Sequence, residues 1–301
     1  MSRPRLVASD LDGTLLDTAS MLTDRTRAAL RLARSAGARV VAATARPPRI
    51  VALLFGGHEG GEDGDIREAV AGSRDADSRD GRRAGADGGT ERSAGPLIDA
   101  AVCVNGAVRY DLASGRVDIR HPLDRDLAAR VIDEVHRRIP GSGIAVETGE
   151  RVFFDRGYRY RPTLDRNRIL VDSTAELLAE PLVKLMVSLP DRNPEAAWAL
   201  LRPILGGRVA CTWAELTAPL EIAAPAVSKA GGLAELCADW HIDPAEVLAF
   251  GDGPNDLSML DWAGTAYAVA NAHPAVLAAT VNHTAGNGDD GVARILEKLY
   301  G

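Results

Sequence analysis

The stretch LVASDLDGTLLD, residues 6–17, joins a run of small and apolar residues to two closely spaced acids. Apolar residues without alternation are typical of a strand that is covered on both faces. Side chains two residues apart point the same way, and Gly13 permits a turn, so Asp10 and Asp12 are expected to face one cleft. Neighbouring carboxylates repel each other unless a cation lies between them. The stretch therefore predicts a cation site beyond the end of a strand.

This strand opens an alternation of short apolar strands and helical patterns, which predicts an α/β fold with a parallel sheet and helices on both faces. The predicted strands are residues 5–9, 39–43, 100–104, 247–250 and 265–270. The predicted helices are residues 23–36, 229–240 and 257–263. Open sheets of this kind bind ligands at the carboxyl ends of their strands, which is where the two acids are expected.

The middle of the chain lacks this alternation and mixes strands with helices. It contains a hairpin-like stretch from Val108, a helical pattern at 127–139 and a second one at 194–205 that Pro203 should interrupt. We therefore predict an α+β domain at residues 108–218, inserted into a first domain that comprises residues 1–107 and 219–301.

Gly56 to Gly95 differs from both predicted domains. It consists almost entirely of Gly, Asp, Arg, Ala, Ser and Glu, with very few apolar residues. Such a segment cannot bury enough apolar surface to offset the entropy of ordering it. We predict a disordered, Gly/Asp/Arg-rich insertion within the first domain.

The composition of the 301 residues is that of a soluble two-domain protein, 46% hydrophobic and 26% charged. The formal net charge of -7 argues against general affinity for nucleic acid or for anionic membranes. No stretch approaches the roughly 20 apolar residues of a membrane span. Acids occupy the place where a signal peptide would need its apolar core, so we expect no signal peptide and a cytoplasmic location. The three cysteines lie far apart and predict reduced thiols, not a metal site.

Three further stretches place suitable ligands at predicted strand ends or helix starts. Thr44 follows the second strand, and its hydroxyl and neighbouring N–H groups can hold phosphate oxygens. Lys229 begins a helix and can reach a phosphoryl group as a point charge. The sequence GDGPND at 251–256 follows the fourth strand and adds Asp252 and Asp256 as oxygen ligands, which suit Mg²⁺. Taken alone, these stretches also fit a helix cap, a surface lysine and a plain turn.

Together the four stretches resemble the haloacid dehalogenase (HAD) superfamily of phosphatases, whose motifs occur in this order. The segment between the Thr and Lys motifs resembles the type C2B cap of the Cof-like, type IIB branch. Further matches to this branch are Asn105-Gly106-Ala107, Leu220-Glu221-Ile222 and Asn271-Ala272-His273-Pro274. The resemblance implies a Rossmann-like core with an inserted α+β cap. The sequence departs from the family pattern at Ala45 and Ala270, where glycine is usual.

The resemblance also implies a reaction. Asp10 would be the nucleophile that forms an aspartyl-phosphate, and Asp12 would be the general acid and base. Mg²⁺ would be held by the Asp10 carboxylate, the Asp12 main-chain carbonyl and Asp252, and Asp256 would support the site.

The transferring phosphoryl group would be bound and stabilised by Thr44, Lys229 and Asn255. The predicted function is a Mg²⁺-dependent phosphatase for small phosphorylated metabolites, such as sugar phosphates. Two alternatives stay open: a phosphomutase of the same fold, and a non-catalytic regulator that binds a phosphorylated ligand. The sequence leaves undetermined the physiological substrate, the oligomeric state and the cap residues that select the leaving group.

Overall fold

The computed structural model describes residues 3–55, 96–159, 165, 167–190, 193–213 and 219–301. The insertion at 56–95, for which the sequence predicts disorder, lies outside the described residues. Within the described ranges, the strands belong to two sheets, and no helix is both long and apolar enough to cross a membrane.

Strands and helices are each numbered in chain order. The strands are β1 (Leu6–Ser9), β2 (Arg39–Ala43), β3 (Ala100–Cys103), β4 (Val108–Asp111), β5 (Val117–Ile119), β6 (Gly143–Glu147), β7 (Val152–Phe154), β8 (Arg168–Leu170), β9 (Lys184–Ser188), β10 (Ala210–Thr212), β11 (Leu220–Ala223), β12 (Val247–Gly251), β13 (Thr265–Val269) and β14 (Asn282–Thr284). The helices are α1 (Asp24–Ser35), α2 (Pro48–Phe55), α3 (Arg125–Arg138), α4 (Thr174–Leu177), α5 (Pro194–Leu205), α6 (Lys229–Trp240), α7 (Leu257–Trp262), α8 (Pro274–Ala279) and α9 (Gly291–Tyr300).

The larger sheet has the order β14-β13-β12-β1-β2-β3-β4-β5 among the described residues. Its strands are parallel from β14 to β3, and the hairpin β4–β5 adds two antiparallel strands. The central strand β1 lies between β12 and β2, and all four of its residues are buried. Coverage on both faces explains why its sequence is apolar without alternation. The predicted α/β class with a parallel sheet is confirmed.

Local sequence signals set the helix ends. Thr23 caps α1, because its hydroxyl accepts a hydrogen bond from the N–H of Thr26 at 3.0 Å. The prediction that Pro203 interrupts the helix at 194–205 is wrong, since α5 continues to Leu205. Pro203 lies in the last turn of α5, where its ring removes a single N–H from the hydrogen-bond ladder near an end that frays in any case.

The smaller sheet has the order β10-β11-β9-β6-β7-β8 among the described residues. It is antiparallel except for the pair β7–β8. Its apolar side chains form a second core with α3 and α5, separate from the core of the larger sheet. This part of the structure has the α+β character expected of the inserted segment.

Two elements extend across the predicted domain limits. The hairpin β4–β5 pairs with β3 in the larger sheet, although it begins at residue 108, the first residue of the predicted inserted domain. Strand β11 pairs with β9 and β10 in the smaller sheet, although it follows residue 219. The division at 108 and 219 stays a prediction, and these elements connect its two parts.

Candidate active site

Neighbouring parallel strands bring the predicted site residues to one edge of the larger sheet. Asp10 follows β1, and its N–H donates to the carbonyl of Phe250 in β12 at 3.0 Å. Asp252 and Asp256 follow β12, and Lys229 is the first residue of α6. Carboxyl ends of adjacent parallel strands meet at the same edge, so residues more than 240 positions apart come together.

The carboxylate cluster consists of Asp10, Asp252 and Asp256, which each offer an oxygen within 4.8 Å of the other two. The Lys229 ammonium lies 2.8 Å from Oδ1 of Asp10 and 2.6 Å from Oδ1 of Asp256. The Lys229 side chain is fully buried. A buried ammonium is costly without charged partners, so these contacts account for its position.

The cluster carries more negative than positive charge. When the three carboxylates are ionised, one lysine leaves two negative charges, which one divalent cation would balance. Burial raises the pKa of Asp10 well above its ordinary value, and repulsion from Asp256 adds to this effect. Burial and Asp256 likewise raise the pKa of Asp252 to about 6. Burial lowers the pKa of Lys229, but the two carboxylates outweigh it and raise that pKa.

The donor atoms of the cluster fit Mg²⁺, because all of them are oxygens and a hard cation prefers such ligands. Asp10 and Asp252 each offer an oxygen to the same small space, where a cation could lie between them. Asp256 is more fully used: its Oδ2 accepts the N–H groups of Asp252 at 3.0 Å and Gly253 at 2.9 Å. Asp256 therefore orients the loop, whereas Asp10 and Asp252 are better placed to hold a cation.

The turn after β1 is shaped to let the acids approach. Gly13 has a φ of +77°, and a Cβ at this position would lie 2.5 Å from Oδ2 of Asp252. Any other residue would clash there, so the glycine serves both the backbone conformation and the close approach. Thr14 donates from its hydroxyl to Oδ1 of Asp252 at 2.6 Å. The turn thus holds two residues of the site against each other.

Asp12 lies outside the carboxylate cluster. Its side chain is 48% exposed and accepts two hydrogen bonds from Arg46, at 2.6 Å from Nε and 2.5 Å from the terminal nitrogen. Burial lowers the pKa of Arg46, but the hydrogen bonds that Arg46 donates to Asp12 outweigh it and hold that pKa above its ordinary value. The predicted ligand from Asp12 is its main-chain carbonyl, so this pairing is compatible with the prediction, which stays untested.

The other predicted phosphate ligands lie beside this site. Thr44 is fully buried at the end of β2, and its hydroxyl accepts the N–H of Arg46 at 3.1 Å. Asn255 lies next to Asp256 and donates from its amide to Oδ1 of Asn105 at 3.2 Å. The phosphate-binding roles of Thr44, Lys229 and Asn255 stay predictions.

Three residues support the site although the sequence predicted no role for them. Thr14 holds Asp252, and Arg46 holds Asp12. Asn271 donates from its amide to the carbonyl of Gly13 at 2.8 Å and so supports the turn after β1. All three lie within the motif stretches, but their side-chain partners are distant in the chain and gave no local signal.

Residues 7–57 and 92–296 match the profile of the haloacid dehalogenase-like hydrolases. The chain belongs to this family. The predicted enzyme class, a hydrolase of the HAD superfamily, is therefore confirmed, and its relatives include phosphatases. A relative from Bacillus subtilis (strain 168), the 5-amino-6-(5-phospho-D-ribitylamino)uracil phosphatase YitU, is 23% identical over 306 residues, which cover 99% of this chain and 98% of that protein.

A second relative matches over a shorter length. The 5-amino-6-(5-phospho-D-ribitylamino)uracil phosphatase YbjI of Escherichia coli (strain K12) is 41% identical over 80 residues, or 27% of this chain and 30% of that protein. Among solved structures, the HAD subclass IIB sugar phosphatase BT4131 superimposes with a TM-score of 0.72 at 18% identity, and 98% of each chain is covered. At that identity the likeness concerns the fold. The predicted fold, a HAD core with an inserted cap, is confirmed.

Proposed function

We propose that this HAD-family protein is a Mg²⁺-dependent phosphatase that hydrolyses small phosphorylated metabolites through an aspartyl-phosphate. The observation that carries the proposal is the buried cluster of Asp10, Asp252 and Asp256 around Lys229, in which negative charge exceeds positive charge. Burying such a cluster is unfavourable unless a cation balances it, and a bound cation would also attract a phosphate ester.

In the proposed reaction an oxygen of Asp10 attacks phosphorus and the bond to the leaving group breaks. Asp12 donates its proton to the leaving oxygen. A water molecule then attacks the phosphorus of the aspartyl-phosphate and gives its proton to Asp12. The bond between phosphorus and the Asp10 oxygen breaks, so that phosphate is released and the Asp10 carboxylate is restored. Lys229 and Thr44 offset the charge on the phosphoryl oxygens, and Asn255 assists by fixing the adjacent loop.

The residues proposed to hold Mg²⁺ are Asp10, Asp252 and the main-chain carbonyl of Asp12. Asp256 supports them through its bonds to the loop N–H groups and to Lys229. When bound, the ion would neutralise the carboxylates and polarise the phosphoryl oxygens. In this proposal the ion and Lys229 together allow an anionic nucleophile to meet an anionic substrate.

We propose a phosphorylated, sugar-like metabolite as the substrate, in the cytoplasm, with no nucleic acid partner. Two relatives are named for a phosphoribityl compound and a structural neighbour is named as a sugar phosphatase, which supports this class. Residues 108–218 would form the cap, attached to the core through the hairpin β4–β5 and strand β11.

The direct test is phosphate release by the purified protein from an aryl phosphate and from a panel of phosphorylated metabolites. Activity should require Mg²⁺ and disappear with a chelator. Asp10→Asn should lower kcat by at least about 10⁴-fold, because the nucleophile is lost. Turnover that survives Asp10→Asn would reject the nucleophile assignment. Isomerisation of a sugar phosphate without net phosphate release would indicate a phosphomutase, and binding without turnover across the panel would indicate a regulator.

A further inference from the structure

We propose that Lys184 of the smaller sheet is a positioning residue of the phosphate-binding loop, residues 44–46, and that Glu221 holds Lys184 in place. This inference rests on the proposed function, since it concerns the same phosphoryl site. In this inference, a residue of the cap helps to fix the conformation of the phosphate-binding loop in the core.

The carbonyls of the phosphate-binding loop are all held. The turn Val104–Gly106 donates main-chain N–H groups to the carbonyls of the first and third loop residues, at 2.9 and 3.1 Å. The middle carbonyl, that of Ala45, accepts a hydrogen bond from Nζ of Lys184 at 3.1 Å. The outer carbonyls are thus fixed by the backbone of the core, whereas the middle one is held by a side chain from the other sheet.

Lys184 reaches the loop as a buried charge. Its side chain is 4% exposed, and Nζ lies 2.6 Å from Oε1 of Glu221 on the neighbouring strand β11. Oε2 of Glu221 accepts the amide of Asn105 at 2.6 Å, and Oδ1 of Asn105 accepts the amide of Asn255 at 3.2 Å. One hydrogen-bonded network therefore extends from the smaller sheet to the loop that contains Asp252.

Peptide planarity makes the carbonyl contact relevant to phosphate binding. The Ala45 carbonyl and the Arg46 N–H belong to one peptide plane, so fixing one fixes the other. The Arg46 N–H donates to the Thr44 hydroxyl at 3.1 Å. Lys184 therefore restrains, through this plane, the hydroxyl that is proposed to bind the phosphoryl group. Misplacement by about 1 Å at a catalytic group costs about 10²-fold in rate.

Arg49 offers a matched control, because it is another largely buried cation that joins the same two parts of the molecule. It donates to Glu147 at 2.8 and 2.7 Å, and it also contacts Asp165 and the Gly149 carbonyl. Its contacts lie on the smaller-sheet side and do not include the carbonyls of the phosphate-binding loop within the described residues. Arg49→Met should therefore weaken the junction without releasing the Ala45 carbonyl.

The experiment compares Lys184→Met, the double variant Lys184→Met with Glu221→Gln, and Arg49→Met. Lys184→Met removes the counter-charge of Glu221 and the contact to the loop, so it should lower both Tm and kcat. The double variant also removes the negative charge of Glu221, but it still lacks the hydrogen bond to the Ala45 carbonyl. We expect Tm to recover in the double variant while kcat stays about 10- to 100-fold below wild type. A loss of this size is on the order of the rate lost when a catalytic group is slightly misplaced.

Inhibition by inorganic phosphate gives a second readout that a purely structural ion pair would not change. The inhibition constant should rise in both Lys184 variants, should return toward wild type in Lys184→Arg, which keeps a donor, and should change little in Arg49→Met. Recovery of kcat together with Tm in the double variant would overturn the inference. So would an equal loss of kcat in Arg49→Met. Absence of phosphatase activity in the wild-type protein would instead reject the proposed function.

Discussion

The carboxylate cluster and the Asp12–Arg46 pair each take one acid from the turn after β1 but differ in burial and charge balance. Asp10 is 7% exposed and shares Lys229 with Asp256, and Asp252 completes the cluster. The Asp12 side chain is 48% exposed and has an arginine of its own. Charge is thus unbalanced in the buried region and balanced in the exposed one, although one residue separates the two acids.

The difference matches the two chemical tasks proposed for these acids. A nucleophile benefits from a fixed, desolvated oxygen next to cations that also attract the phosphoryl group. A general acid and base must exchange protons with the leaving group and with water, which requires access. Asp10 contacts Lys229 whereas Asp12 contacts Arg46, so one turn serves both environments.

The largest effect in this comparison should come from Lys229→Met, which removes the cation from the buried region. Breaking a buried ion pair costs about 3–5 kcal/mol of unfolding free energy, and loss of the charge should lower kcat about 10³-fold. Urea denaturation with and without Mg²⁺ measures the first quantity and steady-state kinetics the second. Lys298→Met, at an exposed lysine of α9, is the matched control and should change neither. Unchanged stability in Lys229→Met would contradict the charge balance described for the cluster.

Asp12→Asn should produce a smaller loss, confined to catalysis. We expect kcat to fall about 10²- to 10³-fold, because proton transfer is lost, while the free energy of unfolding changes by about 1 kcal/mol or less, because the Asp12 side chain is about half exposed. An alkyl phosphate should lose more activity than a nitrophenyl phosphate, whose leaving group needs little protonation. Equal losses for the two substrates would argue against Asp12 as the general acid.

The smallest effect should be a pH dependence of stability in the metal-free protein. The pKa of Asp252 is raised from 3.8 to about 6, so between these pH values the folded protein retains a proton that the unfolded chain has lost. The stabilising contribution is present below about pH 4 and is lost as the pH rises to about 6. Thermal unfolding with a chelator should show this loss as a difference between wild type and Asp252→Asn.

Adding Mg²⁺ to the same thermal unfolding measurement tests whether Asp252 binds the ion. Because a metal ligand must be deprotonated, Mg²⁺ should raise Tm more at pH 7 than at pH 5 in the wild-type protein. Asp252→Asn should respond less to Mg²⁺ at both values. A stabilisation by Mg²⁺ that is equal at the two pH values would show that Asp252 does not take part.

Much of the core and of the cluster was predictable from local sequence. Strand β2 and helix α6 have the predicted limits, because buried parallel strands are continuously apolar and helix α6 follows a serine cap at Ser228. Once the strands are known to be parallel, their carboxyl ends must share an edge, which brings Asp10 and Asp252 together. The order of motifs along the chain was therefore sufficient to predict the cluster.

The partners of the supporting side chains depended on the tertiary structure. Arg46 pairs with Asp12, 34 residues away, and Lys184 reaches the Ala45 carbonyl across 139 residues. The placement of the hairpin β4–β5 in the larger sheet also depended on the tertiary structure. Periodicity and capping report only on neighbours within a few residues, whereas these contacts are selected by the packing of whole sheets. A charged side chain becomes buried in such a place only when the fold supplies its counter-charge.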